Sequence, residues 1–173
     1  QKWIHADRAN FLVKTIVNFQ APPAEIADAI RRYHHLVPDG TALSPAALNA
    51  ARVHLIRRFL STELDYINVA KEYIELDDIQ VLLERLIAPP GSHGRIGGKG
   101  AGMFLGSQIL KKARADVADI GQPRVPKTWY ISSDGVLEFI RYNNIEEVYE
   151  QKYKSVDRVR QEYPHIVQVF QNS

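Results

Sequence analysis

The 173-residue chain contains no cysteine, which excludes disulfides, thiolate nucleophiles and sulfur-ligated zinc together. It also lacks any apolar run near the roughly 20 residues that a membrane span requires. H-E-x-x-H is missing, and the adjacent pair His34-His35 points two rings about 100 degrees apart on a helix, so a zinc enzyme is not expected. Its single methionine is Met103, and the first residues lack the charged-then-apolar pattern of a secretory signal. The expectation is therefore a soluble, cytoplasmic piece of a larger protein, with no membrane partner. The formal charge of +2 is too small to argue for nucleic acid. Arg31-Arg32 and Arg57-Arg58 share their half of the chain with Glu63, Asp65, Glu72, Glu75, Asp77, Asp78 and Glu84, so they are expected to be solvated or ion-paired.

The sequence does contain enough apolar residues, 45%, to bury a core. The spacing of Phe11, Leu12, Ile16 and Phe19 predicts a helix from Asp7, its cap, to Phe19. Pro23 suits the first turn of a second helix, with Ile26, Ala27, Ile30 and Tyr33 on one face, ending at the turn Val37-Pro38-Asp39-Gly40. Ser44-Pro45 is a strong helix start. An apolar stripe through Leu48, Ala51, Leu55, Phe59, Tyr66, Ala70 and Tyr73 carries that helix toward residue 73, unless the Thr62/Asp65 capping pair breaks it near Ser61. Asp77 or Asp78 is expected to cap a further helix through Ile79, Leu82, Leu83 and Leu86. Pro89-Pro90-Gly91 then reads as a hinge between a helical module, residues 1–90, and a different second part, residues 91–173.

The second part opens with Gly94-Arg-Ile-Gly-Gly-Lys-Gly-Ala-Gly-Met-Phe-Leu-Gly106 and continues into a helix through Met103, Leu105, Ile109 and Leu110. A loop around Ile120-Gly121-Gln122-Pro123 precedes Thr128-Trp129-Tyr130-Ile131, read as a short buried strand. Ser132, Ser133 and Asp134 offer caps for a helix carrying Val136, Leu137, Phe139 and Ile140. Ser155 or Asp157 starts the last helix, and Pro164 opens its continuation. The fold class is thus α+β, mainly helical, with a short strand or small sheet.

The densest chemical signal is Gly97-Gly98-Lys99-Gly100. Glycine is costly in helices and strands, so such a cluster marks backbone that turns sharply or approaches something closely. Exposed N–H groups, a nearby helix start and one ammonium make a favourable place for phosphate. From Gly94 to Lys127, Arg95, Lys99, Lys111, Lys112, Arg114, Arg124 and Lys127 outnumber Asp116 and Asp119, which suits an anionic ligand. The pattern is not a P-loop, because His93 stands at the first glycine position and Gly100 replaces Ser or Thr. Nor is it a dinucleotide fingerprint, which would need glycine at Met103. By pattern alone, a phosphate loop and a structural glycine turn with a solvated lysine both stand.

The run Ile96-Gly97-Gly98-Lys99-Gly100-Ala101-Gly102, then a helix, a Val125-Pro126 loop, a hydrophobic strand and Ser133-Asp134 opening a helix with Phe139, resembles the start of the nucleotide-binding domain of phosphoenolpyruvate synthases and pyruvate phosphate dikinases. The likeness covers residues 94 to about 142 and runs more loosely to 173. It implies an ATP-grasp-like architecture, incomplete here, with Lys99 at the ATP phosphates and Gly97, Gly98 and Gly100 shaping the loop. It further implies ATP and magnesium in the complete parent, and transfer of phosphate to pyruvate or another acceptor through domains outside this chain. Where the family has Pro-Gly or Pro-Pro-Gly before the strand, this chain has Pro126-Lys127-Thr128. The family's Arg-Ser-Ser stretch and acidic magnesium ligands would follow residue 173, so the isolated piece is expected to be inactive. The alternative is a non-catalytic helical interaction or regulatory module, which could form a homo-oligomer through the stripe from Leu48 to Tyr73.

Overall fold

The computed structural model describes residues 2–36, 43–113 and 125–172. The turn expected at Val37-Pro38-Asp39-Gly40 and the loop at Ile120-Gly121-Gln122-Pro123 lie outside the described residues, as do Arg114, Asp116, Asp119 and Arg124. The architecture is mainly helical α+β. Helices α1 (Lys2–Val17), α2 (Pro23–Leu36), α3 (Pro45–Phe59), α4 (Leu64–Tyr73) and α5 (Leu76–Glu84) lead to strand β1 (Leu86–Ile87). Helix α6 (Gly98–Ala113), strand β2 (Tyr130–Ile131), helix α7 (Ser133–Tyr142), a 3-10 segment (Glu146–Tyr153) and helix α8 (Val156–Gln171) follow. Among the described residues, no helix is long and apolar enough to cross a membrane.

The core follows the apolar stripes. Leu12 and Ile16 of α1, Ile26 and Ile30 of α2, Leu55 and Phe59 of α3, and Ile79 and Leu82 of α5 are all at most 1% exposed, each contributing about 1.5–3 kcal/mol of transfer free energy. The same cluster takes in Ile96, Ala101, Phe104 and Leu105, so the buried surface continues across residue 90 into α6. The Leu48–Tyr73 stripe is spent in this core: Ala51, Leu55, Phe59 and Ala70 are buried, and Leu48, Tyr66 and Tyr73 pack against the cluster.

Several boundaries differ from expectation. Helix α1 already runs through residue 7 and ends at Val17, so Asp7 is not its start, and Phe11 and Phe19 are exposed. Of the two readings after Ser44, the break near Ser61 holds, giving two helices. Ser44 caps the first, accepting from the Ala47 N–H at 3.2 Å. At the break, Ser61 N–H turns back to the Ile56 carbonyl, and the Ser61 hydroxyl accepts from Glu63 N–H at 3.1 Å, the local competition with helix that serine favours. Glu63, rather than Thr62, occupies the cap position of α4. Glu75 takes that place for α5, and its N–H donates to the Asp78 carboxylate at 3.0 Å. Asp78 therefore closes the turn from three residues inside, while Asp77 faces His34 at 2.7 Å.

Pro89-Pro90-Gly91-Ser92 forms a tight turn: Ser92 N–H donates to the Pro89 carbonyl at 3.0 Å, and Gly91 has φ +72°, open to glycine and disfavoured for other residues. Just before it, β1 lies parallel to β2, with Leu86 opposite Tyr130 and Ile87 opposite Ile131. The strand at 128–131 is shorter than expected and not buried, since Trp129 and Ile131 are each 56% exposed. Helix α8 runs unbroken through Pro164 and buries no residue fully. At its base Lys154, Gln151 and Arg158 converge on Glu162 and hold its carboxyl at about 2.

Candidate functional site

The segment between the Pro89 turn and α6 is held at three points. Ser92 is buried, and its hydroxyl donates to the Asp134 carboxylate at 2.8 Å. The backbone N–H groups of His93 and Gly94 donate to the other carboxylate oxygen, each at 2.9 Å. Ile96, 4% exposed, donates its N–H to the Phe59 carbonyl and bridges to Ser132. Asp134 thus does more than cap: Ser132 is the cap of α7, accepting from Gly135 N–H, and Asp134 staples the 92–94 segment to that helix. Partial burial opposes ionisation of Asp134, but bonds from Ser132, Ser92, His93 and Gly94 outweigh it and bring its pKa down to about 2. Gly94 is required by this clamp, because a Cβ there would collide with the Asp134 carboxylate and lie 2.8 Å from its backbone nitrogen.

Helix α6 starts one residue after Gly97, whose carbonyl accepts from Ala101 N–H at 2.9 Å. Gly98, Lys99 and Gly100 are therefore the first helical turn and not a loop. The expectation of a loop at Gly97-Gly98-Lys99-Gly100 ahead of a helix through Met103 is corrected: packing of Ala101, Phe104 and Leu105 carries the helix back through its glycines, against a propensity cost of about 1 kcal/mol for each. The start is clamped from below. Tyr66 donates its hydroxyl to the Ala101 carbonyl at 2.9 Å, and Phe104 meets Tyr130 edge-on at 6.3 Å. Burial, with Tyr130 nearby, raises the Tyr66 phenol well above its ordinary value, so it stays a donor.

Above this clamp the helix end is open. Gly97, Gly98 and Lys99 are exposed, and the Lys99 ammonium forms no ion pair with a described residue. The N–H groups of Gly98, Lys99 and Gly100 have no partner among the described residues, as the geometry of a first turn dictates. A Cβ at Gly97, Gly98 or Gly102 would meet no described atom within 4 Å, and none of the three needs a positive φ. Neither backbone conformation nor internal packing accounts for glycine there. The arrangement can accept an anion from outside, through unpaired donors, the positive end of the helix and one mobile cation.

Other members of the expected basic stretch are spent differently. At the far end of α6, Lys111 pairs with Asp78 at 3.0 Å, while Lys112 pairs with Glu75 at 3.2 Å and donates to the Glu72 carbonyl. Lys127 sits 6.0 Å from the Trp129 ring. Residues 97–100 line neither of two clefts of about 570 and 500 Å³, the first between α5, α6 and residues 125–130, the second beside α3. The helical arginines divide as well: Arg31 and Arg32 pair with Glu84 and Asp28. Arg58 is neither solvated nor ion-paired, but 7% exposed and bonded to the carbonyls of Asn18, Phe19 and Ala21. Among the described residues no group of three or more His, Asp and Glu side chains is placed to hold a metal ion. Comparison with protein-family models, with curated proteins and with solved structures finds no match to this chain.

Proposed function

We propose that the N-terminus of α6, with Gly97, Gly98, Lys99 and Gly100, receives the phosphates of ATP, and that the chain is the opening part of an ATP-grasp-like domain in a cytoplasmic phosphotransferase resembling phosphoenolpyruvate synthase or pyruvate phosphate dikinase. The observation that carries this reading is the exposed Lys99 ammonium, without an ion-pair partner among the described residues, in a first turn whose three N–H groups lack described partners and where Gly97 and Gly98 answer no internal need. A triphosphate supplies what that turn lacks: several acceptor oxygens and negative charge at the positive end of a helix dipole. In this reading Lys99 stabilises charge as the terminal phosphoryl group leaves. The bare glycines let oxygens approach the backbone closely. Magnesium and the acceptor, pyruvate or another, are assigned to parts outside this chain.

The test is equilibrium titration with ATP of the chain and of Lys99→Ala and Lys99→Arg variants. Affinity for the chain alone is weak, and Lys99→Ala lowers it by about tenfold or more, as expected for one charge-assisted contact. Lys99→Arg restores part of the loss. Equal affinity in all three proteins would refute the assignment.

A second reading, a non-catalytic interaction module that could self-associate, draws on a different observation. Trp129, Ile131, Val136, Leu137, Phe139 and Tyr142 are all exposed on β2, α7 and the residue before them, a concentration of apolar surface typical of contact regions. Sedimentation at several concentrations checks it, since a strictly monomeric chain would remove self-association from consideration.

A further inference from the structure

Away from α6, the described residues bring basic side chains together in the cleft of about 500 Å³ beside α3. His54, Arg57 and Arg58 enter it from α3, and His93 and Arg95 from the stapled segment before α6. The helical period explains the first set, because residues 50, 54, 57 and 58 fall on one side of α3. Phe19, Ala50 and Val53 supply apolar wall, Thr62 adds a hydroxyl, and among the described residues no aspartate or glutamate lines the cleft.

The five basic side chains play different parts. Arg58 is fixed, its guanidinium held by three backbone carbonyls just beyond α1 and lying 5.6 Å from the Phe19 ring. Arg95 donates through Nε to the Arg57 carbonyl at 3.1 Å, which ties it to the last turn of α3 and leaves its terminal nitrogens without a partner among the described residues. Arg57 is exposed and forms no ion pair with a described residue. His93 lies flat on Phe19, with ring centroids 4.7 Å apart. Burial, then the neighbouring Arg58 and Arg57, lowers the His54 pKa and favours its neutral ring. Cationic groups that border one cleft repel one another, and an anion between them relieves that repulsion. The apolar wall beside them suits the body of an organic molecule and gives bare inorganic ions nothing to contact.

We propose that this cleft binds a small organic oxyanion, a phosphomonoester or carboxylate on an apolar body, with the oxyanion between Arg57 and Arg95 and the body against Phe19 and Val53. The site is separate from the nucleotide reading and does not depend on Lys99.

The test titrates the whole chain with phenyl phosphate, benzoate and inorganic phosphate at constant ionic strength, following the imidazole NMR signals of His54 and His93. Phenyl phosphate or benzoate produces saturable shifts of both rings and raises the titration midpoint of His54, and the tighter of the two identifies the headgroup. Inorganic phosphate binds more weakly than phenyl phosphate. Arg57→Ala and Arg95→Ala each weaken the preferred probe by about tenfold or more, whereas Lys99→Ala leaves it unchanged. Circular dichroism verifies folding, and if an alanine variant does not fold, Arg57→Gln and Arg95→Gln take its place. No saturable shift with any probe overturns the proposal, as does unchanged affinity in the Arg57 and Arg95 variants. Binding lost in Lys99→Ala but kept in the arginine variants also overturns it, and moves the anion to α6.

Discussion

Asp134 accepts from two hydroxyls and two backbone N–H groups, and with that one carboxylate it joins the segment before α6 to the start of α7. Its folded pKa of about 2 lies below the ordinary carboxylate value of 3.8. The linked stability is therefore fully present above the ordinary value and is lost as pH falls from about 4 toward 2. Asp134→Asn should lower stability by about 1–3 kcal/mol at neutral pH and flatten that acid-side decline, which urea midpoints measured from neutral pH downward will show. An unchanged decline would mean that the staple is not ionised as described. Gly94→Ala is the companion case. The added methyl has no room beside the carboxylate, so a loss of about 1–3 kcal/mol is expected, read as a lower denaturant midpoint.

At the scale of elements, the glycines of α6 divide by what they touch. Gly98 opens the helix, without a neighbour for a Cβ and without positive φ. Gly98→Ala should therefore raise stability by up to about 1 kcal/mol while weakening ATP binding, a pairing of opposite signs that thermal melts and nucleotide titration check together. A variant that is more stable and binds as before would detach that glycine from the ligand. Loss of the Ser44 hydroxyl in Ser44→Ala should cost about 1 kcal/mol, again visible in a melt. These elements also show what could be read in advance. The stripes of α2 and α3, the Ser44-Pro45 start and the Ser132 cap were legible because cap chemistry and 3.6-residue periodicity are local properties. Lys99 and its glycines were legible as a candidate for the same reason, although their helical state was not: propensity argues against helix there, and packing of Ala101 and Phe104 overrides it. Strand β1 was hidden because two residues carry no period, and its partner lies more than 40 positions away. Arg58 was hidden because its acceptors are backbone carbonyls of the turn between α1 and α2, which leave no mark in side-chain spacing.

Across the molecule, the helical half provides a platform on which the start of α6 is fixed. Phe59 holds Ile96 through its carbonyl, Tyr66 holds Ala101, and Glu75 and Asp78 anchor the far end of the helix through Lys112 and Lys111. The result is a helix whose clamped face looks into the core and whose first turn presents the Lys99 ammonium, which has no ion-pair partner among the described residues. That division of labour is what an anion site requires, since donors fixed in advance lose little freedom on binding. The most direct test is an amide NMR titration of the chain with millimolar ATP. The largest shifts are expected on Gly98, Lys99 and Gly100, saturating and diminishing in Lys99→Ala; shifts absent from these residues, or equal in the variant, would contradict an anion site there.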